Sequence, residues 1–306
     1  MQNERIKAIG IALLVLILMS FDTVLIKLTL NNVSPYTYIW LSLLIGILSL
    51  TFYTFIIKNE RVPWDLMTKN VWFYIFQIGF FNFVTGRLNL IALDYLPATT
   101  NAYLFNFIGL ITMGMSCIIL KEIPSLFQIL GAGIAFSGLR IFFQSAPQGG
   151  EWIGIVLVLS SIIGVAYTNN IARKLSIETE GKISNNIIST LAIILGGSLM
   201  IITCISIDGF PPIINSNSDW LVFLYTGIAT NAVGLTVWNS VLRTLRSYEA
   251  SVLGASMVIW TSIFAYFILG ETITTYQLIG ITMLLFGIIL VQLRNKQTVR
   301  IIKTIK

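Results

Sequence analysis

Three observations predict an all-α integral membrane protein with ten transmembrane helices arranged as two inverted five-helix repeats. Of 306 residues, 56% are hydrophobic and only 10% charged, against roughly a quarter charged in a soluble domain. The apolar residues gather into ten long runs parted by short polar turns. One polar-dotted stretch, "ILKEIPSLFQILG" (119–131), returns in altered form as "ILGETITTYQLIG" (268–280).

The polar side chains are too few to cover a surface in water, so the chain is built for lipid. A bilayer core takes roughly 20 apolar residues of helix. Helices satisfy their own backbone groups, which lipid cannot do. The runs lack the alternation that a transmembrane barrel needs.

The elements follow in order. The first run, about 8–28, comes after Arg5 and Lys7. It exceeds a signal-peptide h-region and lacks a small-x-small cleavage site, so it is read as a span. It carries Asp22 and, five residues on, Lys27. The second span covers about 35–57. On the third, about 72–92, Asn82, Thr85, Gly86 and Asn89 share a face, and Arg87 lies about five residues from the end. The fourth, about 99–120, bears Asn101, Tyr103 and Asn106. On the fifth, about 126–143, Gly131 and Gly138 are two turns apart and form a smooth stripe for close helix approach. Arg140 near its end snorkels to the surface.

The segment "QSAPQGGE" (144–151) divides the chain into 1–146 and 147–306. The sixth span, about 152–172, brings Tyr167, Thr168, Asn169 and Asn170; the seventh covers about 186–207. The eighth, about 220–242, brings Thr230, Asn231, Gly234, Trp238 and Asn239, and the ninth, about 249–269, brings Trp260. The tenth, about 276–293, repeats the glycine stripe with Gly280 and Gly287.

With ten spans both termini share a side, and of the nineteen cations only Lys27, Arg87 and Arg140 fall on or towards the other. The positive-inside rule therefore predicts both termini in the cytoplasm of a cell bounded by this membrane. The net charge of +6 and the basic tail "RNKQTVRIIKTIK" read as attraction to anionic lipid, not to nucleic acid. The chain has no histidine, and its two cysteines, Cys117 and Cys204, sit inside apolar runs. No catalytic residue, metal site, disulfide or cofactor is expected, and a membrane enzyme finds no clustered acids or metal motif to work with.

Setting 71–143 against 220–292 gives twelve identities in 73 positions. They include Asn82 with Asn231, Glu122 with Glu271, Gln128 with Gln277, Gly131 with Gly280, and Gly138 with Gly287. Each half holds five spans, an odd number, so the second half enters the membrane upside down. Such inverted repeats place a substrate site between the halves near the midplane.

These hairpins, the connections "LDYLPATTNAYLF" and "LRTLRSYEASVLG", and "ILMSFDTVLIKL" in the first span carry a resemblance. From about residue 8 to 293 the chain resembles the drug/metabolite transporter superfamily, in particular its EamA-type bacterial exporters. The family's first helix reads Trp-Gly and then Lys; here Met19 and Ser20 hold the first two positions and Lys27 is kept. The family's mid-helix prolines are absent near Ile108 and Val258, and Ser42 stands near a common arginine. The resemblance implies a cavity lined by helices one, three, four, six, eight and nine.

Ionisable groups inside spans are costly and therefore functional suspects. Asp22 with Arg87 or Lys27 reads either as a grip on a zwitterion or proton, or as a structural ion pair. The asparagine faces read either as a polar cavity or as interhelical glue. The expected lining is Asp22, Lys27, Asn82, Arg87, Asn89, Asn101, Tyr103, Asn106, Tyr167, Asn170, Asn231, Trp238 and Trp260. Glu122 and Glu271 are expected on opposite sides of the membrane, serving the starts of helices five and ten. The expected function is a secondary transporter, an exporter of a small polar metabolite; a lipid-handling, flippase-like protein is the alternative. The partners are that substrate and the bilayer, with a homodimer left open.

Overall fold

The computed structural model describes residues 2–119, 125–143, 147–212, 214, 216–234, 237 and 254–292. Among them every regular element is helical. The rods are α1 (Gln2–Thr29), α2 (Pro35–Ile57), α3 (Lys69–Ala92), α4 (Ala98–Ile119) and α5 (Leu126–Phe142). There follow α6 (Glu151–Glu178), α7 (Asn185–Asp208), α8 (Asn217–Leu224, continuing through Tyr225–Gly234), α9 (Met257–Leu269) and α10 (Thr275–Gln292). Six of them, α1, α2, α3, α4, α6 and α7, are long and apolar enough to cross a membrane; α5, α9 and α10 are shorter apolar helices.

Local chemistry sets several of the starts. Ser34 accepts from the Tyr36 amide ahead of a proline at the first position of α2, and Ser184 accepts from Asn186 at α7. The two hairpins each contain a reciprocal box. The Ser125 amide donates to Gln128 Oε1 (2.7 Å) and the Gln128 amide to Ser125 Oγ (3.4 Å). Thr274 and Gln277 repeat this at α10 with 2.9 and 3.3 Å. The repeated glutamines are thus third-position partners of capping boxes.

Other starts are finished by carboxylates from far along the chain. Asp208, at the end of α7, accepts from the Thr37 amide (2.9 Å) and hydroxyl (2.8 Å) at the start of α2. Glu60, just beyond α2, accepts from Ser184 Oγ and from Asn186 Nδ2 (2.6 Å) at the start of α7. One turn farther in from that end, the Thr54 and Thr190 hydroxyls meet at 2.8 Å. The end of each rod therefore lies beside the start of the other, so α2 and α7 run antiparallel. Glu271 behaves unlike its sequence expectation. It accepts from the Ala98 (2.6 Å) and Thr99 (3.0 Å) amides, capping α4 instead of α10. The α10 start is already served by Thr274, which frees this carboxylate to reach across. Gly270, at φ 69°, ends α9 in the left-handed conformation that glycine adopts without strain and so turns Glu271 toward α4. Its expected counterpart Glu122 lies outside the described residues.

The second close pair is α5 with α10. A β-carbon at Gly287 would come within 2.5 Å of the Gly131 carbonyl oxygen, and one at Gly138 within 3.0 Å of the Gly280 oxygen. The early residue of one helix meets the late residue of the other, so this pair is antiparallel too. Gly133, on another face of α5, has open space around it.

Gly287→Ala must push backbone apart, an overpacking that costs about 1–3 kcal/mol. Gly133→Ala only gains helix propensity, worth up to about 1 kcal/mol. Thermal unfolding of the purified protein should show the first variant's midpoint falling and the second's unchanged or higher.

Candidate functional site

Wider turns occur in α2, α7 and α9 as well as in α8 and α3, and the site lies at the last two. Tyr225–Gly234 and Phe81–Thr85 form wider π-type turns, a distortion frequent at functional sites. Glycines let the neighbours close in. A β-carbon at Gly227 would stand 2.4 Å from Ile45 Cγ2, and one at Gly46 would stand 3.1 Å from the Asn231 β-carbon. The α2–α8 contact thus carries Thr226 and Asn231 against α1, α2 and α3.

Asp22 is 3% exposed, and its Oδ1 accepts from Thr226 Oγ1 at 2.5 Å. The Thr226 hydroxyl has a single proton and gives it to Asp22, so Tyr38 OH must be the donor in its own bond to Thr226 Oγ1. The result is a buried chain, Tyr38 to Thr226 to Asp22, joining α2, α8 and α1. One wide turn farther along α8, Asn231 Oδ1 accepts from Arg87 Nη2 at 3.0 Å, and its amide nitrogen reaches the Ser42 carbonyl at 3.4 Å. The Arg87 guanidinium also lies over the Phe83 ring, 5.9 Å from its centroid.

Asp22 is buried and Arg87 half-buried, and each is hydrogen-bonded by a neutral group of α8. A hydrogen bond to a charged group contributes about 1.5–3 kcal/mol. Stripping such a partner from a buried charge is expensive unless another group replaces it. The geometry holds Asp22 and Arg87 each on a neutral partner from α8.

The remaining expected residues divide. Lys27 Nζ donates to the Leu93 carbonyl just past α3. Asn101 is bonded to the Asn89 carbonyl (3.0 Å), Asn106 to Ala102 (2.7 Å), and Asn170 to Thr112 (3.2 Å) and Ala166 (3.0 Å). These amides join helices or satisfy their own. On the face expected to line a cavity, Thr85 and Gly86 pack on α6. There a β-carbon at Gly164 would meet Thr85 Oγ1 at 1.8 Å, and Ser161 bonds the Gly86 carbonyl at 2.8 Å. Tyr167 accepts from Gln77 at 2.9 Å and touches Phe81. Asn82 is half-buried near the middle of α3. Asn89 Oδ1, Tyr103 OH and Trp260 Nε1 are buried without a partner among the described residues, on the adjacent helices α3, α4 and α9. Tyr103 also stacks on Phe142 at 3.9 Å. Trp238 lies outside the described residues. Tyr38 and Thr226 were not anticipated, since tyrosine and threonine are unremarked in an apolar run and no spacing marks them.

The chain matches the model of the EamA-like transporter family twice, over residues 6–144 and 152–293. It is 28% identical over 214 residues to an uncharacterized transporter of Clostridium kluyveri, covering 67% of each chain. It is 25% identical over 224 residues to an uncharacterized transporter encoded in the sor 3' region of Acidianus ambivalens, covering 72% of this chain and 84% of that one. One solved structure, titled only as the crystal structure of a protein, aligns with a TM-score of 0.65 at 14% identity. It covers 95% of this chain and 97% of its own, which is a likeness of fold.

Because one hydroxyl links Tyr38 and Asp22, their losses should not add. Thr226→Val is expected to cost about 1–3 kcal/mol. Tyr38→Phe is expected to cost less, and the double variant no more than Thr226→Val alone. Denaturation midpoints of the three proteins in one detergent measure this.

Proposed function

The chain belongs to the EamA-like transporter family, and on that premise we propose that it is a secondary transporter exporting a small polar metabolite such as an amino acid. Membership makes it a multi-pass integral membrane transporter, not an enzyme. The observation that carries the proposal is the separate engagement of Asp22 by Thr226 and of Arg87 by Asn231. A zwitterion offers a carboxylate that takes the place of Asn231 on Arg87, and an ammonium that takes the place of Thr226 on Asp22.

The proposed mechanism is alternating access by rocking of two halves, 1–146 and 147–306, with inverted topology. The antiparallel α2–α7 and α5–α10 pairs support it, because each joins the helices that correspond in the two halves. The cation distribution supports both termini in the cytoplasm. The sequence holds no nucleotide-binding loop, so a substrate or proton gradient would drive export.

One observation favours the alternative, lipid-handling reading. A groove of about 360 Å³ opens among α2, α3, α6 and α7, lined by Tyr36, Val84, Leu88, Tyr95, Leu157 and Met200 among others. It is large enough for a small ligand, and its walls suit hydrocarbon.

Proteoliposomes loaded with a metabolite panel, with and without a pH gradient, test the two readings together. Zwitterionic amino acids should be transported, and Arg87→Ala or Asp22→Asn should each slow transport about tenfold or more, the effect of losing one charged hydrogen bond. Transport at the parental rate by both variants would refute the charged pocket. Flipping of a labelled phospholipid, without transport of any polar compound, would favour the alternative.

A further inference from the structure

The α3–α4 turn, residues 93–97, is tied down from two directions at the end of the bundle where α1, α3 and α9 finish. Lys27 of α1 donates to the Leu93 carbonyl. Glu271, from the α9–α10 turn, accepts from the Ala98 and Thr99 amides at 2.6 and 3.0 Å. Ala98 and Thr99 are buried, which shields these bonds from water.

The cap on α4 is borrowed. Pro97 precedes the helix and contributes no side-chain hydrogen bond, whereas α2, α5, α7 and α10 use Ser34, Ser125, Ser184 and Thr274 beside them. A permanent helix start needs only a local cap. A start capped by a residue 172 or 173 positions away can be uncapped by moving one hairpin from another. The α3–α4 hairpin is itself cross-linked, since Asn101 bonds the Asn89 carbonyl. It can therefore move as one piece, carrying Arg87 with it.

We propose that Glu271 and Lys27 form a releasable latch that closes this end of the transport path. The inference rests on the transporter reading above. When the latch holds, α4 is capped and the α3–α4 turn seals against α9 and α10. When it opens, the carboxylate and the α4 amides pass to water, which satisfies both. Exchange of partners with water keeps the two states near in free energy, as a switch needs, with a minor state populated at roughly 0.1–10%.

The test needs no substrate. Cys117 and Cys204 are replaced by serine, and Asn82→Cys places a reporter midway along α3. Sealed vesicles receive a membrane-impermeant maleimide on the Glu271 side. Glu271→Gln and Lys27→Met should each speed labelling about tenfold, the worth of one charged hydrogen bond. Lys27→Met leaves the α4 cap in place and so answers even if Glu271→Gln folds poorly. Asp208→Asn, which weakens a cap of the same chemistry on α2, should leave labelling unchanged. Parental labelling in both latch variants, or equal acceleration by Asp208→Asn, would overturn the latch. A chain that labels as expected but transports nothing in the panel defeats only the functional reading; transport with unaltered labelling defeats only the latch.

Discussion

At the start of every helix, backbone N–H groups point out with no partner inside the helix, and hydrocarbon offers them none. Much of this architecture follows from how the chain answers that demand. Serine or threonine beside the helix suffices at several starts. At α2 and α4, carboxylates from more than a hundred residues away take backbone amides directly, and at α7 Glu60 takes the side chains of Ser184 and Asn186 beside the start. Each satisfies donors, meets the positive end of a helix dipole, and fixes which helices are neighbours. Asp208 and Glu60 do so reciprocally. Each stands at the end of one rod and at the start of the other, which locks α2 and α7 into an antiparallel pair.

On that frame the candidate site is an exception to symmetry. Gln128 with Gln277 and Gly138 with Gly287 perform matched tasks in the two hairpins. The charges do not repeat: Arg87 aligns with Thr236, and no acid aligned with Asp22 occupies the second half. Asn231, the aligned partner of Asn82, has instead become the acceptor for Arg87. Duplication supplies a scaffold that binds nothing in particular, and departures from it on α1, α3 and α8 supply the charged groups.

Where apolar runs end sharply the span limits were legible in the sequence, but α1 begins at Gln2 and α6 runs on to Glu178, both several residues beyond their apolar runs. The run about 35–57 is α2 (Pro35–Ile57), and 126–143 is α5 (Leu126–Phe142) to within a residue. The glycine spacing was legible too, since two turns of helix fix which residues share a stripe. Partners were not. Glu271 was placed rightly beside the α10 start, but its amides belong to α4, a fact of tertiary approach. Asn101, Asn106 and Asn170 looked alike with Asn231, yet they bond main-chain carbonyls while Asn231 holds a guanidinium. An amide in lipid must find a partner, and composition does not say whether that partner is backbone or charge. The capping boxes carry a readable signal, Ser or Thr three residues before Gln, although Ser125 and Thr274 differ and so are not an identity between the halves.

An inverted repeat puts corresponding turns of the two halves on opposite faces of the membrane. Asn59, after α2, and Gly209, after α7, occupy such turns and are both exposed. In a cysteine-free background, Asn59→Cys and Gly209→Cys would be labelled in intact cells with an impermeant maleimide, then again after permeabilisation. Position 209 should react in intact cells and position 59 only once the membrane is opened. Both positions reacting from the same side would contradict the inverted repeat.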